Sequence, residues 1–508
     1  MRSGRPLRPL LALVVSGLLL GAAGCTADAA DRTATELTLP AADAVRVAAS
    51  DDPTTRSVQV SRALFAHARG AVVAPAGDER AVATAASAAR RAHVPLLVTP
   101  SAGHPAAGER TPGEDGSSRD DAAVAAELAR LGADWYQAEG DASVDTDVPE
   151  RDAPEAGDAA AVGRASRPAT VVVADRRSDA PAVATAEAAG AHVVVMPAGV
   201  TDPAAAPDVV STLHERAGHP TVFAGATFRA LSDPGWTVRA AQGGWQLPHG
   251  GQRPFDGHRW TALYGAPGAP VLGVLGEQDP TATVQRAEQL AASYDGLGDE
   301  PVSPALEVIA TVAAGDPGAD GDYSRELPVS TLQPYVDAAR RAGMPVVLDL
   351  QPGRSDFLSQ AKRYESLLRE PNVWLALDPE WRLGPDQVPL RQIGNVSADE
   401  VDRVSSWLAA LVRQHGLPPK ALVLHQFRLS MIQDRASLTQ HPELDLLVHV
   451  DGQGSQPDKQ ATWKALHQDA PAGVHWGWKN FIDEDTPMLT PEQTMADVTP
   501  TPSLITYQ

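Results

Sequence analysis

Two carboxylates two residues apart, Asp378 and Glu380, end a run that alternates like a β-strand. Val373, Leu375 and Leu377 fall on one face, and Trp374, Ala376, Asp378 and Glu380 on the other. Pro379 between them has no backbone donor, which suits the end of a strand better than its middle. Glycoside hydrolysis usually needs two carboxyl groups flanking the scissile bond, one as acid and one as nucleophile or base. Two residues apart on one strand, their Cα atoms would be roughly 6.7 Å apart, a spacing compatible with several mechanisms. Trp374 and Trp381 flank the pair, and indole faces can stack on sugar rings.

What could position such a pair emerges from counting strands. Candidates run Thr261–Tyr264, Ala305–Val312, Pro345–Leu350, Val373–Asp378, Ala421–His425, Leu444–Val450, Val474–Trp478 and Ser503–Tyr507. Helical patterns lie between most of them, at Ala282–Tyr294, Thr331–Ala342, Ser355–Leu368, Ala398–His415 and Lys459–His467. Eight strands with intervening helices over about 250 residues predict a (β/α)8 barrel, whose active sites sit at the C-terminal strand ends. Polar residues gather at those ends: Asp349-Leu350-Gln351, Asp378-Pro379-Glu380, His425-Gln426, His449-Val450-Asp451 and Trp476-Gly477-Trp478-Lys479. The alternation Leu446, Val448, Val450 sends His449 and Asp451 inward with Asp378 and Glu380. The candidate catalytic residues are therefore Glu380, Asp378, Asp349 and Asp451. The candidate substrate-binding residues are Trp374, Trp381, His425, Gln426, His449, Trp476, Trp478 and Lys479.

Other readings of these residues stand beside that one. The carboxylates could form a polar network closing the barrel mouth, joined by Arg354 or Lys479. His425, His449, Asp349 and Asp451 offer two imidazoles and two carboxylates, a set that suits zinc or manganese in a metal-dependent hydrolase. No close H-x-H or H-x-x-x-H spacing accompanies them, and the favoured reading includes no metal and no cofactor. Lys479 could form a Schiff base if burial lowered its pKa. No G-x-S-x-G elbow, P-loop, or G-x-G-x-x-G opening a helix occurs, which speaks against serine esterase and nucleotide chemistry.

The rest of the 508-residue chain divides by composition. A formal charge of −22 argues against nucleic acid, whose binding needs a basic footprint. Arg2, Arg5 and Arg8, the apolar run Leu10–Leu20 and small residues to Gly24 read as a signal peptide over 1–24. The sole cysteine, Cys25, follows directly, so no disulfide within the chain and no cysteine-based zinc site can form. Residues 25–53 read as a flexible tether. From 54 to 232 short apolar strands alternate with Ala-rich helices, which predicts a layered, flavodoxin-like parallel-sheet α/β domain. An acidic, Pro-rich stretch at 141–168 reads as a disordered insert; it lacks the regular ligand spacing of a calcium loop. Residues 233–258 read as a connector and 259–508 as the barrel. Nine of the ten tryptophans lie at or after Trp236, which places any aromatic-lined surface in the C-terminal half.

Several segments resemble known families. Ala22-Ala23-Gly24-Cys25 resembles the bacterial lipobox, with Ala where Leu is usual. That implies cleavage before Cys25, lipidation of its sulfur and anchoring at the outer face of the cytoplasmic membrane. Residues 50–140, including "GAVVAPAGDERAVATAASAARRAHVPLLVTP" and "AAVAAELARLGADW", resemble the second type of cell wall-binding repeat. That resemblance implies an envelope polysaccharide or peptidoglycan partner. The D-x-E at the end of strand four resembles the motif of chitinase-like and muramidase barrels, which implies Glu380 as general acid and Asp378 as its assistant. The fuller acidic signature that precedes the Glu in chitinases is absent. Taken together, "VVLDLQPG", "LALDPEWR", "LVLHQFRLSMI", "HVDGQG" and "GWKNFIDEDTPM" make the chain similar to actinobacterial lipoproteins of the cell wall-binding repeat group, which implies no particular reaction. A wall-tethering protein whose two domains only bind is the rival expectation.

Overall fold

The computed structural model describes residues 36–37, 44–100, 116–154 and 167–508. The signal peptide, Cys25 and residues 155–166 of the acidic insert lie outside the described residues.

Strands alternate with helices in the N-terminal part, as the composition predicts, but they form two separate parallel sheets rather than one. The strands of these two sheets are β1 (Val45–Ala48), β2 (Gly70–Pro75), β3 (Leu96–Thr99), β4 (Trp135–Ala138), β5 (Thr170–Val173), β6 (His192–Val195) and β7 (Thr221–Ala224). One sheet has the order β3-β2-β4 and the other β1-β7-β5-β6. β1 lies inside the segment read as a tether. Only four residues long, it is fixed by pairing with a strand some 175 residues away, with Val45 opposite Thr221. The start of the acidic insert is ordered as well. Val144 is buried, and the backbone of Tyr136 pairs with Pro149 and Arg151.

The C-terminal part is a closed barrel of eight parallel strands: β8 (Arg259–Gly265), β9 (Val302–Ala313), β10 (Val346–Leu350), β11 (Val373–Leu377), β12 (Lys420–Gln426), β13 (Leu444–Val450), β14 (His475–Asn480) and β15 (Leu504–Tyr507). Closure comes from β8, which pairs with β15 on one side and β9 on the other. The outward residues Val373, Leu375 and Leu377 pack under the surrounding helices with Leu306, Leu348 and Leu408. The helix Ala398–His415 begins at Ser397, whose hydroxyl accepts from the Glu400 N–H, and stops at Gly416 in the left-handed conformation (φ 57°). After β12 no α-helix follows. Buried Arg435 fills that gap, bonding Gln426 Oε1 at 2.6 Å and the Leu466 and Gln468 carbonyls that end the helix Gln456–Leu466.

Inside the barrel the side chains stack in layers, as alternation along parallel strands demands. The floor holds Trp260 and Trp374, edge to face at 5.4 Å, and is plugged by Leu247 and Phe255 from the preceding segment. Small and aliphatic residues fill the middle: Ala262, Ala305, Val347, Ala376, Ala421, Val423, Leu447 and Leu504. The N-terminal part docks on the barrel through Trp236, which packs on Val412 and Leu417 and donates to the Leu417 carbonyl at 3.0 Å. Arg253 adds an ionic clamp between Asp202 and Asp445, at 2.6 and 2.9 Å.

Candidate functional site in the barrel mouth

Above the aliphatic layer every strand turns one polar or ionisable side chain inward. Continued inward alternation gives Tyr264 from β8, Glu307 from β9, Asp349 from β10, Asp378 just past β11, His425 from β12, His449 from β13, Lys479 from β14 and Thr506 from β15. Asp451 and Glu380 follow at the rim. Apart from partly exposed Glu380, all of these are buried.

Their contacts form two connected groups. His425 is gripped at both nitrogens, with Glu307 Oε1 2.7 Å from Nε2 and Asp451 Oδ2 3.0 Å from Nδ1. His449 stands beside it, Nδ1 3.5 Å from His425 Nε2 and Nε2 3.0 Å from the Thr506 hydroxyl. In the second group Tyr264 donates to Asp349 Oδ2 at 2.7 Å, and Gln351 donates to the Tyr264 oxygen at 3.3 Å. The Lys479 ammonium lies 3.5 Å above the Tyr264 ring, a cation–π contact in a desolvated setting. Gly477 makes this packing possible: a Cβ there would stand 2.7 Å from the His449 ring.

Five carboxyls share this space with few cations, and the proton balance follows. Burial pushes Asp349 up to about 6, and the Glu307 charge adds to it. Asp378 is driven well above the usual carboxyl range by burial and by its neighbours Glu380 and Asp349. Burial, then the Asp451 charge, lifts Glu380 to about 7. Burial works against the charge on His425, but Glu307, Asp349 and the two carboxylate hydrogen bonds outweigh it and hold the imidazolium well above its ordinary range. Glu307 and Asp451 stay ionised in turn, because His425 and the other cations overcome their burial. His449 is pushed down to about 3, chiefly by burial. The mouth thus holds a charged Glu307–His425–Asp451 chain beside Asp378 and Glu380, whose raised pKa values keep protons on them toward neutral pH.

The expected site residues divide accordingly. Asp349, Asp378, Asp451, His425, His449 and Lys479 come together, and Glu380 reaches the rim. Glu380 does not extend β11, which ends at Leu377; it rides on a single 3-10 turn, Pro379–Trp381. Gly394 backs that turn, its amide donating to the Glu380 carbonyl at 2.7 Å where a Cβ would meet three carbonyl oxygens. Trp381, partly exposed, shares the turn.

Four of the expected residues lie elsewhere. Trp374 is in the floor, roughly 13 Å of strand below Asp378. Gln426 faces outward and holds Arg435. Trp476 stacks on His467 at 3.6 Å, and Trp478 is buried against Trp463, both outside the barrel wall. Their indoles are already packed against protein. The metal set drawn from sequence is divided too: Asp349 turns to Tyr264, and Asp451 takes the far nitrogen of His425. The sequence reading missed Glu307, Tyr264 and Thr506. A lone Glu at an inward position of an otherwise apolar strand was the available signal for the first.

The fold and site define a class: a (β/α)8 barrel with an acid-lined mouth, joined to parallel α/β sheets. No family model matches the chain, and no curated protein does. One similar solved structure is Cwp6 from Clostridium difficile, at 11% identity and a TM-score of 0.27, covering 66% of this chain and 62% of that one. The chain thus spans less than two thirds of that protein's length, and a likeness at this level carries no argument about activity.

Proposed function

We propose that the barrel mouth binds cell-envelope glycan and hydrolyses glycosidic bonds, with Glu380 as general acid and Asp378 assisting. The observation that carries this reading is Glu380 itself: partly exposed at the rim and protonated to about pH 7. A general acid works best with a pKa near the operating pH, and the partial exposure supports access by substrate. In this reading Glu380 delivers its proton to the leaving glycosidic oxygen as the C–O bond breaks, and as a carboxylate takes a proton back from the water that then adds to the anomeric carbon. Asp378, kept protonated just below it, prevents a second negative charge from drawing that proton back. Lys479 and the Glu307–His425–Asp451 chain set the field around both, and Trp381 on the same turn offers an indole face to a sugar ring.

The lipobox resemblance at Cys25 supports tethering at the outer face of the cytoplasmic membrane, where such glycan lies. The resemblance of residues 50–140 to cell wall-binding repeats supports a wall contact by the N-terminal part. The test is release of reducing ends from purified peptidoglycan and from chitooligosaccharides by wild type and Glu380→Gln. Turnover by wild type, lowered at least 100-fold in the variant, is expected. Binding without turnover by either protein would leave only the tethering role.

A further inference from the structure

The Glu307, His425 and His449 side chains converge more closely than a general-acid site requires. All three are fully buried. Three distances separate their facing donor atoms: 2.7 Å from Glu307 Oε1 to His425 Nε2, 3.5 Å from that nitrogen to His449 Nδ1, and 3.8 Å from there to Glu307 Oε2. Ligands held at about 2.1 Å around one ion stand about 3.0–3.4 Å apart, so shifts of a few tenths of an ångström would seat an ion among them. Glu307 Oε2 has no hydrogen-bond partner, an unsatisfied carboxylate oxygen in the barrel interior.

The outer contacts fit the same arrangement. The far nitrogen of each histidine is engaged, Nδ1 of His425 by Asp451 Oδ2 at 3.0 Å and Nε2 of His449 by the Thr506 hydroxyl at 3.0 Å. Such partners fix ring orientation as they do around metal-ligating histidines, and an ion bound there would displace to solvent the proton that His425 Nε2 shares with Glu307, freeing that nitrogen's lone pair. Gly477 supplies the space for the His449 ring.

We propose that Glu307, His425 and His449 form a site for one divalent transition-metal ion, with Asp451 and Thr506 orienting the two imidazoles. Two imidazoles and one carboxylate suit zinc, iron(II) or manganese and leave coordination positions open. An ion there would sit in the same polar layer as Asp349 and Lys479. The site stands whether or not the mouth cleaves glycan.

The test strips the full chain with chelator and titrates it with zinc chloride alone, followed by calorimetry. One zinc per chain is expected in wild type. His449→Ala and Glu307→Gln are expected to weaken binding at least 100-fold, and Thr506→Val roughly 10- to 100-fold. Asp320→Asn, in the separate acidic loop with Asp322 and Glu326, is expected to leave the affinity unchanged. Replacement by cobalt(II) is expected to give a visible spectrum that His449→Ala abolishes. Absence of saturable zinc in wild type would overturn the proposal. So would zinc held equally by wild type and Glu307→Gln, or lost in Asp320→Asn instead. If His449→Ala fails to fold by circular dichroism, Thr506→Val decides: undiminished affinity there contradicts the assigned orientation.

Discussion

Replacing Glu307 with Gln isolates the charge at the centre of the mouth. The substitution preserves size and leaves the His425 imidazolium, fully buried, with one carboxylate instead of two. Removing one partner of a buried ion pair costs about 3–5 kcal/mol, because the charge left behind has no water to turn to. Asp451, still 3.0 Å from Nδ1, offsets part of that, which places the expected loss near 3 kcal/mol. Urea unfolding in chelator at pH 7, followed by tryptophan fluorescence, reads the barrel, since nine of the ten tryptophans lie at or after Trp236. A double-mutant cycle with His425→Gln should return a coupling of about 2 kcal/mol or more, since removing both partners also removes the stranded charge. A Glu307→Gln protein within about 1 kcal/mol of wild type, with no coupling to His425, would refute the charged chain.

Three further outcomes follow from the same structure. Lys420, fully buried with its ammonium on the Glu370 and Val373 carbonyls, has its pKa lowered by burial to about 7. The unfolded chain then binds the extra proton more tightly, so stability rises with pH. Wild type should gain about 2 kcal/mol over Lys420→Met between pH 7 and 9 in denaturant titrations, and a flat difference would contradict this. Gly477→Ala drives a methyl into the His449 ring and should cost about 1–3 kcal/mol in urea unfolding, with loss of the Thr506 contact visible in the imidazole NMR signals. If protonated Glu380 is the acid, hydrolysis should fall as pH rises through about 7; a rate unchanged to pH 9 would assign the proton elsewhere.

Much of the barrel was legible because short apolar strands with polar C-terminal ends recur between helical patterns. The limits of alternation are equally physical. It assigns a face but not a depth, so Trp374 shares a face with Asp378 yet lies in the floor. On β14 the inward positions are Gly477 and Lys479. A glycine gives no apolar signal, and the two tryptophans flanking it drew attention to the outer face. β1 was invisible because four residues, Val-Arg-Val-Ala, become a strand only through a partner far along the chain. The joining of Glu307, His425 and Asp451 from three strands depends on register around a closed barrel, which no local pattern reveals.

The most direct measurement of the central claim is turnover of purified peptidoglycan and chitooligosaccharide by wild type beside Glu380→Gln, both at pH 6. Hydrolysis by wild type and a loss of at least about 100-fold in the variant, with glycan binding retained, are expected. Equal turnover by the two proteins, or none by either, would contradict that claim.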